Sequence, residues 1–184
     1  HTPYSGTPSL TTYYEPGTFM FSAADSVIIG EILPYKLELN KVMEEVLVSS
    51  SEFMEKGKPE SKLGNFVADA CMNIASIKYV PSSGNPIDFC LLNNGGLRSS
   101  LPTGEITRKN VYELMPFENE LVVLTLPGNS VLKILKYISN TGGVPVSNLR
   151  MKITGESFSE VFIGGQPFDS SGTYKMVTSD YLAN

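Results

Sequence analysis

IDFCLLNNGGLR, residues 87–98, decides how the rest of the chain is read. Ile87 to Leu92 is a short apolar run bounded by turn-forming residues, which predicts a buried strand. That strand runs directly into Asn93-Asn94-Gly95-Gly96. In open sheets flanked by helices, ligands bind outside the carboxyl ends of the strands. Two glycines at such a place let backbone approach a ligand closely and permit a positive φ. Asn93 brings an amide that both donates and accepts. Arg98 brings a planar fork of donors suited to phosphate or ribose oxygens. The same letters also spell a plain glycine turn followed by a surface arginine, and spacing alone does not choose between the two.

Upstream of this strand the clearest helix spans about Lys62 to Lys78. Leu63, Phe66, Val67, Ala70, Cys71 and Ile74 recur at helical spacing and define one apolar face. Asn65 and Asp69 fall one turn apart on a second, polar line. They could meet a ligand, or Asp69 could accept backbone N–H groups of a nearby loop, for which the Gly95-Gly96 turn is the candidate. Further upstream, a helical pattern begins near Asp25, a possible cap, and meets Pro34, where a kink and a restart are both allowed. Lys36 to Glu45 reads as helix again and Val46 to Val48 as a strand. Residues 1–22, rich in Thr, Tyr, Pro, Gly and Ser, read as an extended arm. The expected division is an arm or linker over residues 1–24 and one domain over 25–184.

Downstream, Thr107 can cap a short helix that stops before Pro116. Phe117 follows it in a loop, where an aromatic face can stack on a base or pack beneath a turn. Leu121 to Leu126 reads as a strand. Asn129 or Ser130 can cap an amphipathic helix through Ile138. Leu149 to Thr154, Val161 to Ile163 and Tyr174 to Ser179 read as strands, with Tyr181 just beyond. Helices and strands mix without strict alternation, so the expected fold class is α+β, a single domain with a mixed β-sheet packed with helices.

Composition narrows the chemistry. The chain has 184 residues, 41% of them hydrophobic and 18% charged, and a net charge of −5. Lys and Arg are not clustered, which argues against a nucleic-acid groove; one small anion needs only one or two cations. No apolar stretch approaches the roughly 20 residues of a membrane span. The single histidine is His1. Ser-His-Asp and Cys-His catalysis, most zinc sites and two-metal phosphatase sites all need internal histidines. Catalytic and metal-ligating residues of these kinds are therefore expected to be absent from this chain; a carboxylate-only Mg2+ or Ca2+ site stays open, with no dense Asp/Glu spacing to suggest one.

LGNFVADA (63–70), LLNNGGLR (91–98) and GEITRKNVYELMPFENELVVLTLPGNSVLKIL (104–135), in this order and spacing, resemble the C-terminal domain of 5'-nucleotidases. The resemblance runs from about Asp25 to the end. It implies a domain that holds the nucleoside or nucleoside monophosphate for a metallophosphatase domain, on the same or a separate chain, which carries a divalent metal pair and the catalytic residues. It implies that the base stacks between Phe117 and Tyr181, that Asn93 contacts base or ribose, and that Arg98 binds near ribose and phosphate, with Gly95 and Gly96 shaping the loop. It also implies a periplasmic or extracellular location.

The chain departs from the family pattern at several positions. Tyr181 stands where Phe is usual, which keeps the stacking face and adds a hydroxyl. Asn94 stands where the family has a third glycine, and Asn tolerates the left-handed backbone such a position would use. Asn148 replaces another family glycine. A second binding arginine has no match in Glu55 to Pro59, where Lys56 or Lys58 could act as a point charge. The family continues beyond the position of Asn184 into a Gly-Gly-Asp-Gly turn, so the C-terminal end is expected to be incomplete. Cys90 sits where some relatives have a disulfide cysteine, and Cys71 lies one helical turn past the matching position; two buried thiols are the favoured reading. Alternatives to the hydrolase domain are a stand-alone nucleotide-binding protein and an interaction module without a site.

Overall fold

The computed structural model describes residues 23–80, 84 and 86–184; the arm expected over residues 1–22 lies outside them. The chain divides into two units, His1–Val42 and Met43–Asn184. In the first, α1 (Ala23–Met43) begins upstream of the candidate cap Asp25 and runs through Pro34 as one element.

In the second unit, β1 (Val46–Ser50) pairs antiparallel with β3 (Gly104–Thr107). Val46 to Val48 make the predicted strand, with β-branched valines at both ends of the run. The β3 segment, GEIT, is short and opens on Gly104, with two β-branched residues, Ile106 and Thr107, at its end. Next comes α2 (Lys62–Lys78), with the bounds that its periodicity predicts and with Ser61 as cap, its side chain accepting from the Gly64 amide.

The site rests on a four-stranded mixed sheet in the order β4 (Leu121–Pro127), β9 (Thr173–Ser179), β2 (Phe89–Leu91) and β5 (Val146–Ser147). The β2–β9 pair is parallel and the other two pairs are antiparallel. Every residue of β2 is buried, as the run IDFCLL predicts. Successive side chains on a strand point to opposite faces. Cys90 and Leu92 accordingly join a core with Leu63, Val67 and Ala68 of α2. Phe89 and Leu91 join a second core with Val131, Leu135 and Ile138 of α4 (Gly128–Asn140). On β9, Val177 and Met176 divide in the same way. A three-stranded sheet, β6 (Leu149–Thr154), β7 (Ser157–Ile163) and β8 (Gln166–Pro167), extends the second core. The expected α+β class is the observed one.

Two local expectations are corrected. The buried face of α2 is Leu63, Gly64, Val67, Ala68 and Ala75, whereas Phe66 and Ile74 are 51% and 50% exposed. Small residues let the helix approach closely: a Cβ on Gly64 would stand 3.3 Å from Pro145 Cγ. The helix therefore turns its glycine–alanine side inward and two of its larger apolar residues outward. In α4 the cap is Pro127, without a side-chain bond, in place of Asn129 or Ser130. Gly128, the first residue of the helix, is tied to the segment before β9, which leaves no room for a side chain. Its amide donates to Gly172 at 2.8 Å, and a Cβ there would lie 2.5 Å from the Ser170 carbonyl oxygen.

Candidate functional site

Where β2 ends, the Leu91 carbonyl accepts a 2.7 Å bond from the buried Thr178 hydroxyl, and the chain turns out of the sheet. Asn94–Gly96 forms a single 3-10 turn, with the Gly96 amide donating to Asn93 at 3.2 Å and the Leu97 amide to Asn94 at 3.3 Å. Gly95 and Gly96 have no positive φ, and neither does Asn94. Close approach therefore sets the need for glycine here: a Cβ on Gly96 would stand 3.0 Å from Asn93 Oδ1, and one on Gly95 3.3 Å from Asn93 Nδ2. The two glycines leave room for the Asn93 amide. The left-handed backbone occurs instead at Asn148, with φ 61°, and the side-chain amide of Asn148 donates to the Asp88 carbonyl at 2.6 Å.

The loop is anchored at both ends. Leu97 is buried, and the Arg98 amide donates to the Leu114 carbonyl at 2.8 Å. Leu114 closes α3 (Arg108–Leu114), which Thr107 caps as the sequence predicts. The Asn110 side chain completes that cap by accepting from the Thr107 amide at 2.9 Å. Phe117 follows α3 in the loop that leads to β4, and Tyr181 lies in α5 (Asp180–Ala183), directly after β9.

These segments close one cleft of about 290 Å³, lined by Asn93, Gly95, Gly96, Arg98, Phe117, Asn119 and Tyr181. All six residues expected to touch substrate therefore line a single depression. Asn119 is the addition that sequence reasoning missed. Its signal was available, since it lies in the same loop as Phe117. Phe117 is 51% exposed and Tyr181 is 70% exposed, so the loop aromatic does not pack beneath its turn. The side chains of Asn93, Arg98 and Asn119 form no hydrogen bond or ion pair with any described residue. Two open aromatic faces and three uncommitted polar groups suit a flat, partly apolar ligand with polar edges.

Asn65 and Asp69 are placed elsewhere. Both are exposed on α2 and line a different depression of about 510 Å³, together with Glu60, Ser147, Asn148 and Arg150. Among the described residues, Asp69 makes no bond to the Gly95-Gly96 turn. Asn94 ties that turn down, its amide donating to the Gly143 carbonyl at 3.1 Å. The two lysines considered as replacements for a second arginine are also engaged elsewhere. Lys56 Nζ donates to the Leu97 carbonyl at 3.0 Å, and Lys58 Nζ donates to the Thr141 carbonyl. Neither lines the cleft.

Cys71 and Cys90 are both free thiols. Burial, with smaller contributions from Cys71 and Asp69, pushes Cys90 up to about 12. Among the described residues, no group of three or more His, Cys, Asp or Glu side chains is arranged to hold a metal ion. No helix among them is long and apolar enough to cross a membrane.

The family model of the 5'-nucleotidase C-terminal domain matches residues 41–184. The protein UshA of Yersinia enterocolitica is 34% identical over 101 residues, which is 52% of this chain and 18% of that protein. The cell wall protein Lmo0130 of Listeria monocytogenes is 32% identical over 140 residues, 67% of this chain and 17% of that protein. The chain thus spans less than a quarter of the length of these relatives. Among solved structures, a 5'-nucleotidase precursor from Thermus thermophilus superposes with a TM-score of 0.69 at 27% identity, covering 87% of this chain and 34% of that one. The NAD nucleotidase of Haemophilus influenzae shares the fold, with a TM-score of 0.60 at 19% identity over 88% of this chain and 32% of that one.

Proposed function

The chain belongs to the 5'-nucleotidase C-terminal domain family, and from that membership and the geometry of the cleft we propose that it is the nucleoside-holding module of a 5'-nucleotidase-type hydrolase. The observation that carries the proposal is the meeting of Asn93, Arg98, Phe117 and Tyr181, from separate segments, around one cleft.

Phe117 and Tyr181 offer faces for a nucleobase, and stacking of this kind contributes roughly 1–3 kcal/mol per base. Asn93 and Asn119 present amides that can donate and accept at the base edge or ribose hydroxyls. Arg98, whose side chain has no protein partner among the described residues, reaches the ribose or phosphate through its planar fork. The work of these residues is binding and orientation: a substrate held by its base in a fixed pose presents its phosphate in one direction. The Lewis-acid chemistry of hydrolysis is assigned to a divalent metal pair in a metallophosphatase domain, on this polypeptide or another. Stacking accepts any base, so the substrate class is a nucleoside monophosphate without a stated base. A periplasmic or extracellular location goes with this reading, supported by the name of the Listeria relative.

Phosphate release from AMP by this chain with Mn2+ tests the division of labour. The expected rate is that of the buffer with metal alone; turnover at an enzymatic rate would contradict it. A second reading, a stand-alone nucleoside-binding protein, is favoured by one observation: Lys56 and Lys58 are both engaged with backbone carbonyls, which leaves Arg98, among the described residues, as the one cation lining the cleft.

A further inference from the structure

β4 and β9 pair antiparallel, and Leu121↔Ser179 is the pair nearest the cleft. The next residues out, Glu120 and Asp180, continue the pairing by different means. The Asp180 amide donates to the Glu120 carbonyl at 2.9 Å. The Glu120 amide donates to Asp180 Oδ1 at 3.1 Å. In a regular antiparallel ladder the second bond would go to the backbone carbonyl of Asp180. That carbonyl instead accepts from the Asn184 amide at 3.2 Å and from Asn184 Nδ2 at 3.0 Å, as the first turn of α5. The carboxylate oxygen stands in for the carbonyl that the helix has taken. One residue thereby closes the ladder and starts the helix that carries Tyr181.

The position of this joint gives it a consequence. Glu120 ends the loop that presents Phe117 and Asn119, and Asp180 adjoins Tyr181. Phe117, Asn119 and Tyr181 line the cleft and Asp180 does not. Leu182 packs into the core beneath α5, so the helix is held at that point and at Asp180.

We propose that Asp180 is the positioning residue of the cleft, setting the separation of Phe117 and Tyr181 through its two bonds to Glu120. The proposal rests on the nucleoside reading of the cleft. The role requires an acceptor at Oδ1, not a charge, so Asn serves and Ala does not. An unanchored Glu120 amide would let the Phe117 loop move relative to α5, and the base would lose one of its two faces in a share of the molecules.

Equilibrium dialysis against adenosine, with thermal unfolding of the same samples, tests this on the wild-type chain, Asp180→Asn and Asp180→Ala. The expected result is binding by Asp180→Asn within about twofold of wild type. Asp180→Ala is expected to bind about tenfold more weakly and to unfold at a somewhat lower temperature, the scale of one lost hydrogen bond, while Asp180→Asn restores both. Equal binding by wild type and Asp180→Ala would overturn the positioning role and leave the cleft reading intact. Binding by Asp180→Asn as weak as that of Asp180→Ala would overturn the requirement for an acceptor. A wild-type chain that does not bind adenosine would overturn the cleft reading and the positioning role with it.

Discussion

The side-chain amide of Asn94 donates to the backbone carbonyl of Gly143 at 3.1 Å. This bond ties the loop that presents Asn93 and Arg98 to the turn that follows α4. It also gives Asn94 a task of its own, since this residue does not use a left-handed backbone. Asn94→Ala should lower stability by about 1 kcal/mol, the net contribution of one such bond. Urea midpoints of the two chains measure it, and an unchanged midpoint would show that the bond adds nothing.

Gly143 should be far less replaceable. Its φ is +107°, and a Cβ there would stand 2.0 Å from the Pro59 carbonyl oxygen. Backbone, not a movable side chain, occupies the space. Gly143→Ala should cost more than about 2 kcal/mol, combining strain and displacement. Gly155 is the control, because its φ is +60° with open space around it; Gly155→Ala should cost about 1 kcal/mol. Equal losses in the two variants would contradict the account of Gly143.

Gly96→Ala should damage binding more than folding. The added methyl would meet Asn93 Oδ1 at 3.0 Å, the end of a side chain that can turn away. Displacing that amide removes a polar contact in the cleft. Adenosine affinity should fall severalfold, by about the 1 kcal/mol of one hydrogen bond, with little change in unfolding temperature. A destabilised variant that binds normally would contradict this.

How much of this was legible beforehand can be judged residue by residue. Local signals survived: the period of Leu63, Val67 and Cys71 marked α2, IDFCLL marked the buried β2, and Thr107 marked the start of α3. Asn93, Arg98, Phe117 and Tyr181 were singled out through the family resemblance, since their local patterns alone read equally as a glycine turn, a surface arginine and packed or surface aromatics. What was missed depends on partners distant in sequence. GEIT pairs with β1, position 128 has no room for a Cβ because the Ser170 carbonyl crowds it, and Asp180 acts through Glu120. The apolar face of α2 was assigned too far round, because periodicity counts hydrophobic residues and gives no weight to the close approach that Gly64 and Ala68 allow.

Stability should fall at alkaline pH through Cys90. Burial, then Cys71 and Asp69, raise this thiol from 9.0 to about 12. Below about pH 9 the folded and unfolded chains both carry the neutral thiol, and the stabilising effect is fully present. Between about 9 and 12 the unfolded chain loses a proton that the folded chain keeps, so stability decreases as pH rises. The slope from this group is at most about 1.4 kcal/mol per pH unit. Urea midpoints from about pH 8 to about 10.5, the lower part of that window, should fall in the wild type and fall less in Cys90→Ala. Parallel curves would contradict the assignment.

Tyr181→Phe should bind adenosine within about twofold of wild type, since the stacking face is kept and the hydroxyl has no hydrogen-bond partner among the described residues. Tyr181→Ala should lose roughly 1–3 kcal/mol of binding with little loss of fold, because the side chain is 70% exposed. Affinities from competition binding against AMP check both. A large loss in Tyr181→Phe would mean that the hydroxyl, not the ring, is what the ligand meets.

The most direct test of the central claim is calorimetric titration of the chain with adenosine and with AMP, beside Phe117→Ala and Arg98→Ala. The account predicts saturable binding of both ligands by the wild type. It predicts weakening of both by Phe117→Ala, on the scale of roughly 1–3 kcal/mol, and a larger loss for AMP than for adenosine in Arg98→Ala. Wild-type binding that Phe117→Ala leaves unchanged, or no binding of either ligand by the wild type, would contradict it.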